Sequence, residues 1–188
     1  MLKNTNHNRL IMLIKGNLKC KRGFGMSKAS KLRRKRGWDW EDTLVKRIDS
    51  CYSYEAYRLG GASAFLPDIL AISNRFGKLM VIEAKSGTTD YLMVPREQVE
   101  RSLRFLDSFK LYPNRHLVLA FKFLRKRRLK GGGYEKRELR EYYKEFNQQL
   151  KRGERAPDII CTYEGKFYII SKGIKKSVEL PDFKMPFL

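Results

Sequence analysis

The sequence predicts an α/β fold in which a mixed central β-sheet is flanked by helices. Apolar residues recur at helical spacing in two segments, one near residue 40 and one after residue 95. Short runs rich in valine, isoleucine, leucine and phenylalanine lie between and after these segments, and turns containing glycine separate the runs. Helices that alternate with groups of strands are typical of this class.

The first predicted elements are a helix and a strand. In the segment Trp38–Ser50, apolar residues fall at positions i, i+4, i+5 and i+8, which predicts a helix with one buried stripe. The next segment, Tyr52–Leu59, alternates in the manner of a strand and ends at a turn, Gly60–Ser63. The stripe of the helix consists of Trp40, Leu44, Val45 and Ile48.

Two strands, a helix and another strand follow. Pro67–Ile72 and Lys78–Lys85 are predicted to be strands joined by a short turn. A helix begins near Pro95, since proline is favoured in a first helical turn, and runs to about Lys110. His116–Phe123 is rich in valine, leucine and phenylalanine and is predicted to be a strand. The buried stripe of the helix consists of Val99, Leu103, Leu106 and Phe109.

The last third of the chain is predicted to contain a charged insertion and a hairpin. Arg125–Lys130 is a dense basic run, followed by three glycines that indicate a flexible break. Tyr134–Arg152 has aromatic and leucine residues on one side and is predicted to be a charged helix. Ile159–Tyr163 and Lys166–Ser171 are expected to pair as a late hairpin.

Size and charge divide the chain into one domain and an N-terminal arm. A chain of 188 residues normally forms one domain, which we place at 36–188 with the charged helical insertion at about 125–156. Residues 1–35 contain many lysines and arginines, and Asp39 is the first acidic residue. We interpret them as a basic, flexible arm that either helps to bind DNA or is an ordinary solvated terminus. Met26 is a second candidate for the start of the native protein, and the sequence leaves open which of the two is used.

The chain is strongly basic. Its 41 lysines and arginines face 20 aspartates and glutamates, which gives a formal net charge of +21. Such a protein needs a polyanion to neutralise it, most often a nucleic acid. A structural RNA-binding protein fits the charge equally well. An anionic membrane surface fits less well, because the chain lacks an amphipathic basic helix with a lipid-facing stripe. The apolar run Leu10–Ile14 is also too short to span a bilayer. We expect neither a membrane nor a small-molecule substrate as a partner.

Cysteine and histidine content narrows the chemistry. Cys20, Cys51 and Cys161 are odd in number and form no CxxC pair, which argues against a disulfide framework and a cysteine zinc site. Scattered cysteines suit a reducing compartment, so we expect a cytoplasmic, nucleoid-associated protein. Since His7 and His116 are the only histidines, a metal ion would be held by oxygen, which favours Mg²⁺ with Mn²⁺ as a substitute.

Two predicted strands carry the residues of a hydrolytic site. Glu83 and Lys85 lie two residues apart and therefore share a strand face, while Ile82 and Ala84 point the other way. Charges on a buried strand are costly unless they are paired or bound to metal, and Asp68 on the neighbouring strand supplies a second carboxylate. Two carboxylates can hold Mg²⁺, and a lysine can position an attacking hydroxide, as phosphodiester hydrolysis requires.

Each of these residues also has an ordinary structural interpretation. Glu41 lies on the apolar stripe of the first helix. Its carboxylate either extends to solvent at the start of the helix or faces a site, and we favour the site. Asp68 is typical of a turn after proline, and Glu83 with Lys85 is typical of a surface ion pair. Taken together, the ordinary interpretations require several coincidences, so we favour a nuclease.

The motifs as a set resemble one nuclease family. Asp68 and, some fifteen residues later, Glu83-Ala84-Lys85 match the PD-(D/E)xK nuclease motif. Further matching segments are Arg36-Gly37-x-x-x-Glu41, Arg58–Ser63 before Pro67–Ile69, Ile82–Lys85, Tyr91-Leu92 and Leu119–Leu124. Over about residues 36–124 the chain thus resembles the archaeal Holliday junction resolvase family of the PD-(D/E)xK superfamily.

The resemblance implies a fold, an activity and residue roles. It implies a restriction-endonuclease-like fold, and a homodimer that uses Mg²⁺ or Mn²⁺ to make paired, symmetric nicks in a four-way DNA junction. The chain departs from compact family members in residues 1–35 and in the segment 125–156. The implied site residues are the metal ligands Glu41, Asp68 and Glu83, the catalytic lysine Lys85, Arg58 near the scissile phosphate, and Ser63 in the glycine-rich loop.

Two basic runs accompany these motifs, and we predict that both contact DNA phosphates without reading sequence. The first basic run is Arg33, Arg34, Lys35 and Arg36, and the second basic run is Arg125, Lys126, Arg127 and Arg128. Two other functions stay open, namely a general restriction-like or repair endonuclease and a non-catalytic nucleic-acid-binding protein on the same scaffold. A second Pro-Asp-Ile sequence, which contains Asp158, has Ser171 at the position where the second acid should be, and we interpret it as structural.

Overall fold

The computed structural model describes residues 27–60, 65–147 and 154–188. Within these ranges, no helix is long and apolar enough to cross a membrane. The helices are α1 (Lys28–Asp49) and α2 (Arg96–Asp107). The strands are β1 (Glu55–Arg58), β2 (Ile69–Ser73), β3 (Lys78–Gly87), β4 (Tyr91–Val94), β5 (Asn114–Phe123), β6 (Lys126–Arg128), β7 (Tyr134–Lys136), β8 (Arg140–Glu145), β9 (Asp158–Thr162), β10 (Phe167–Ser171) and β11 (Ile174–Val178).

Five strands form a central sheet in the order β1-β2-β3-β5-β8. Strands β3 and β5 pair in parallel along their whole lengths, and the other described pairs of this sheet are antiparallel. A parallel pair requires a crossover connection, which here runs through β4 and α2. The predicted α/β class with a mixed central sheet flanked by helices is therefore confirmed.

The central sheet is buried on both faces. One face packs against α1, whose Trp40, Leu44 and Ile48 join a core with alternate residues of β2, β3 and β5. The other face packs against α2 and a second sheet. Burial on both sides explains why β3 and β5 read as nearly continuous apolar runs in the sequence.

The second sheet has the order β11-β10-β9-β4. The predicted late hairpin is confirmed as the antiparallel pair β9 and β10, while β4 and β11 were not predicted. Asp158 begins β9, and its Oδ1 accepts a hydrogen bond from the backbone N–H of Arg96 at 2.8 Å. The second Pro-Asp-Ile sequence therefore holds the first turn of α2, which is a structural role as predicted.

Helix α1 begins well before the predicted start at Trp38. Ser27 caps it by accepting a hydrogen bond from the backbone N–H of Ser30, and the helix continues to Asp49. Residues 28–35 are thus helical and do not belong to a flexible arm, while the expectation for residues 1–26 lies outside the described residues. The first turns are exposed, so they carry no apolar stripe from which a helix could be predicted.

The predicted helical insertion is wrong in the described residues from 125 to 147. These residues form a β-hairpin, β6 and β7, and then β8, which pairs with β5. On β8, Tyr143 packs against the α1 side of the sheet and Tyr142 against the other side. Pairing with β5 therefore buries alternate side chains on two faces, and this tertiary contact outweighs their helical spacing. Residues 148–153 of the insertion lie outside the described residues, and 154–156 belong to neither a helix nor a strand.

Candidate active site

The candidate site lies where β2 begins, beside the second half of β3. Asp68 immediately precedes β2, and the register that pairs Ile69 with Ile82 brings its side chain to Ala84. Its Oδ2 accepts a hydrogen bond from the backbone N–H of Ala84 at 2.8 Å. The same oxygen lies 3.3 Å from Nζ of Lys85. Asp68 and Lys85 therefore form a largely buried ion pair on adjacent strands.

Glu83 is completely buried and has three polar neighbours. Its Oε1 accepts hydrogen bonds from Oγ of Ser102 at 2.5 Å and from Nη2 of Arg101 at 3.1 Å. Its Oε2 lies 3.6 Å from Nζ of Lys85. Glu83 and Lys85 thus share a strand face, as predicted, and the ammonium of Lys85 contacts both this carboxylate and that of Asp68.

Glu41 reaches the site from α1 and is 8% exposed. A Cβ atom on Gly60 would lie 3.4 Å from both Oε2 of Glu41 and Oδ1 of Asp68. The two carboxylates therefore face the same small space, which a side chain at position 60 would fill. Burial, and then the charge of Asp68, raise the pKa of Glu41 from 4.5 to about 7, although Arg58 and Lys85 act in the opposite direction.

Electrostatics at the site disfavour several negative charges at once. Burial is the main cause that raises the pKa of Glu83, and the charge of Asp68 adds to it. Lys85, Ser102 and Arg101 oppose this shift, in that order of importance. Carboxylates that are desolvated and close together resist ionisation, and a divalent cation reverses that tendency.

The acids suit a hard divalent cation by donor type. Among the described residues, Oε2 of Glu41 and Oε2 of Glu83 are buried oxygens with no hydrogen-bond partner. Carboxylate oxygens are the ligands that Mg²⁺ and Mn²⁺ prefer. The described ranges contain no group of three or more His, Cys, Asp or Glu side chains already arranged to hold a metal ion. The acids instead form two adjoining pairs, Glu41 with Asp68 and Asp68 with Glu83.

Arg58 lies at the rim of this site. It ends β1, forms an ion pair with Asp42 of α1 at 3.4 Å, and places its guanidinium 5.3 Å from the ring centre of Trp38. Its charge lowers the pKa of Glu41, which is consistent with a position close to the acids. Ser63, the remaining predicted site residue, lies outside the described residues.

Both basic runs come to the end of β3 that carries the site. The first basic run lies on α1, and the carbonyl of its Arg36 accepts a hydrogen bond from Oγ of Ser86, next to Lys85, at 3.2 Å. The second basic run enters the hairpin of β6 and β7, directly after Leu124. The backbone N–H of Leu124 donates to the carbonyl of Gly87, the last residue of β3, at 2.9 Å. Hydrogen bonds to the main chain thus attach both basic runs to the end of β3 that carries the acids.

The sequence analysis missed Arg101 and Ser102, which hold the buried carboxylate. Both lie on α2, a helix that was predicted from its apolar stripe. Ser102 falls three residues after Val99, on the buried side of that stripe. A polar residue in such a position signals a buried hydrogen-bond partner, and that signal was available in the sequence.

Comparison with known proteins identifies the family of this chain and solved structures that are similar to it. Residues 33–146 match the family model described as archaeal Holliday junction resolvase, Hjc. A solved structure of Archaeoglobus fulgidus Hjc, described as a Holliday junction resolvase from an archaeal hyperthermophile, is 21% identical to this chain. That match covers 69% of this chain and 85% of the other, with a TM-score of 0.44. No curated protein matches the sequence significantly.

Proposed function

Because this chain belongs to the archaeal Holliday junction resolvase family, we propose that it hydrolyses phosphodiester bonds of four-way DNA junctions with Mg²⁺, for which Mn²⁺ can substitute. The observation that carries the proposal is the contact of Lys85 with both Asp68 and Glu83. Two carboxylates and an ammonium on buried strands are costly to desolvate, so they indicate a functional requirement. Phosphodiester hydrolysis needs this combination of groups.

Glu41, Asp68 and Glu83 would hold the metal ion. When bound, a divalent cation neutralises charge on the phosphoryl oxygens and lowers the pKa of a water molecule. Glu41 and Glu83 each have a buried oxygen with no hydrogen bond from any described residue, and a cation would satisfy both oxygens. Burial raises the pKa of both glutamates, so an adjacent cation is what would keep them ionised at neutral pH.

We assign Lys85 as the catalytic residue that acts on the attacking water molecule. Its ammonium donates to Oδ2 of Asp68 and lies beside Oε2 of Glu83, so two neighbouring strands fix its position. From there, Nζ can orient an attacking water molecule and offset negative charge on the phosphate. We assign Arg58 to the scissile phosphate because it lies at the rim of the acids. Ser63 is retained as a site residue on the family resemblance alone.

The two basic runs would hold the DNA around this site. In the hairpin, Arg125, Lys126 and Arg128 are exposed and form no ion pair with any described residue. Arg127 instead pairs with Asp90 at 2.7 Å. Unpaired exposed cations contact phosphates and release counterions from DNA, which raises affinity for any sequence. This suits a protein that recognises the branched shape of its substrate.

A homodimer would apply two such sites to one junction. Dimers with two-fold symmetry present identical sites in equivalent positions, and a four-way junction offers two equivalent strands. We therefore propose paired, symmetric nicks. Light scattering should give twice the mass of one chain, and nicks mapped on the two strands should lie at equivalent distances from the branch point.

The proposal is tested by comparing a synthetic four-way junction with a linear duplex of the same sequence. With Mg²⁺, the protein should nick the junction and leave the duplex largely intact, and EDTA should stop the reaction. Equal cutting of the duplex would indicate a general restriction-like or repair endonuclease. Tight binding without cutting, in both Mg²⁺ and Mn²⁺, would indicate a non-catalytic nucleic-acid-binding protein.

A further inference from the structure

We propose that a groove along α2 binds a backbone phosphate of the substrate DNA strand, close to the phosphate at which that strand is cut. The site deepens the proposed function and rests on it. The groove has a volume of about 480 Å³ and adjoins the metal-site acids without including them. Its lining residues are Phe65, Glu97, Arg101, Arg104, Phe105 and Ser108.

The groove presents an excess of positive charge. Its one acidic lining residue, Glu97, is neutralised by an ion pair with Arg96 at 3.0 Å. Arg104 is exposed and forms no ion pair with any residue that the structure describes. An arginine in a concave surface with no acidic partner attracts an anion, and its planar guanidinium matches a phosphate oxygen pair.

Arg101 connects the groove to the active site. Its side chain lines the groove and donates through Nη2 to Oε1 of Glu83 at 3.1 Å. Ser102 donates to the same carboxylate oxygen, so Glu83 has a second, fully buried hydrogen bond. A guanidinium carries several donors in one plane and can bridge two anions. Through Arg101, a phosphate bound in the groove would be fixed relative to Glu83.

The ligand is therefore a phosphodiester of the substrate strand, with Arg104 as its main contact and Arg101 as the bridge to the site. A free phosphate or nucleotide presents similar oxygens, and the experiment must separate these sources. Arg104 touches none of the residues assigned to the metal site. Its loss should weaken binding while the chemistry at the acids is retained, whereas loss of Arg101 should affect both.

A scan with neutral phosphates tests the groove independently of cleavage. In EDTA, each phosphate around the cut site of a junction is replaced in turn by an uncharged methylphosphonate, and Kd is measured by fluorescence anisotropy. One position should weaken binding of the wild type about threefold to tenfold. Arg104→Ala should lose a similar amount of affinity for the unmodified junction, and a methylphosphonate at that position should cause it no further loss. The slope of log affinity against log salt should be smaller by about 1 for this variant.

Two variants make the result specific. Lys176→Ala removes the same charge from β11, the edge strand of the second sheet, and should keep the methylphosphonate pattern of the wild type. Arg104→Gln should behave as Arg104→Ala does and guards against a folding defect. The proposal is overturned if either Arg104 variant keeps the wild-type pattern, or if it changes binding of inorganic phosphate but not of the junction.

Kinetics separate the roles of the two arginines. At saturating junction with Mg²⁺, Arg101→Lys should cut about tenfold more slowly, because it loses the planar guanidinium beside Glu83. Arg104→Ala should instead act mainly by raising the KM for the junction, and Lys176→Ala should match the wild type in both constants. A rate for Arg101→Lys equal to that of Lys176→Ala would overturn the bridging role of Arg101. If the wild type cuts no junction but keeps the methylphosphonate pattern, the proposed function is overturned, whereas phosphate binding by the groove is supported.

Discussion

The acidic corner, consisting of Glu41, Asp68, Glu83 and Lys85, and the basic hairpin of β6 and β7 lie at the same end of the central sheet. They hold charge in opposite ways. The charges of the corner are buried or nearly so. Lys85 contacts Asp68 and Glu83, and Glu41 faces the same small space as Asp68. Every residue of β6 and β7 is exposed. Buried charge fixes a geometry that chemistry can use, whereas exposed charge contributes affinity without requiring a fixed geometry.

In the described part of the chain, Asp90 holds the hairpin at its base. Asp90 forms an ion pair with Arg127 at 2.7 Å and a longer one with Arg137 at 3.5 Å. At the tip, Gly132 and Gly133 adopt positive φ angles that other residues rarely adopt. The two regions are thus expected to respond differently to substitution, with the corner controlling the rate of cleavage and the hairpin controlling affinity.

The largest expected effect comes from removing the central acid of the corner. Asp68→Asn takes away a proposed metal ligand and the partner of Lys85, so single-turnover cleavage of a junction should fall about a thousandfold. Junction binding in EDTA should be retained. Asp107→Asn, at the exposed end of α2, is the matched control and should cut normally. Cleavage by Asp68→Asn at the wild-type rate would rule out this site.

Removing positive charges from the hairpin should have the opposite result, with weaker binding and a retained cleavage rate. Lys126→Ala combined with Arg128→Ala should weaken junction binding about tenfold and lower the slope of log affinity against log salt by about 2. The cleavage rate at saturating junction should stay within about twofold of the wild type. Lys175→Ala with Lys176→Ala provides the control for lost charge. A slower rate with unchanged affinity would contradict the comparison.

Releasing the base of the hairpin should give a smaller loss. Asp90→Ala removes the acceptor of Arg127 and Arg137, so the cations remain but their position is less restricted. Junction affinity should fall about threefold, and amide hydrogen exchange in β6 and β7 should become faster. Exchange in β3 should not change. Equal acceleration in β3 would show that the two regions are not independent.

The smallest expected effect is a pH dependence that belongs to the corner alone. Without metal, the pKa of Glu41 is raised from 4.5 to about 7, so between these values the folded state binds a proton that the unfolded state has lost. Stability therefore rises as the pH falls from about 7 towards 4.5. Urea unfolding in EDTA should show this slope weakened in Glu41→Gln and unchanged in the hairpin variants. An identical slope in Glu41→Gln would show that Glu41 does not titrate in this range.

The corner was largely predictable because its geometry follows from local rules. Alternation along β3 places Glu83 and Lys85 on one face whatever the rest of the chain does, and Asp68 lies on the next strand. Arg101 and Ser102 reach Glu83 only because α2 packs across β3. That contact is set by tertiary packing, so the sequence indicated a buried polar residue at 102 without identifying its partner.

The region after residue 123 was predicted less well for a related reason. The aromatic residues of β8 have helical spacing, but β5 provides an edge that draws them into the sheet. Whether such a segment becomes a helix or a strand depends on a partner that is distant in the chain. The first turns of α1 had the opposite difficulty, since an exposed basic helix has no apolar periodicity to detect.

Asp158 connects the C-terminal third of the chain to the proposed active site. Its carboxylate accepts a hydrogen bond from the backbone N–H of Arg96 in the first turn of α2, and Arg101 lies five residues further along the same helix. A short helix moves as a rod, so loosening one end would shift the two side chains that keep Glu83 in place. A nuclease trimmed to the segment shared with its family would keep all three acids and lose its control over the most deeply buried one.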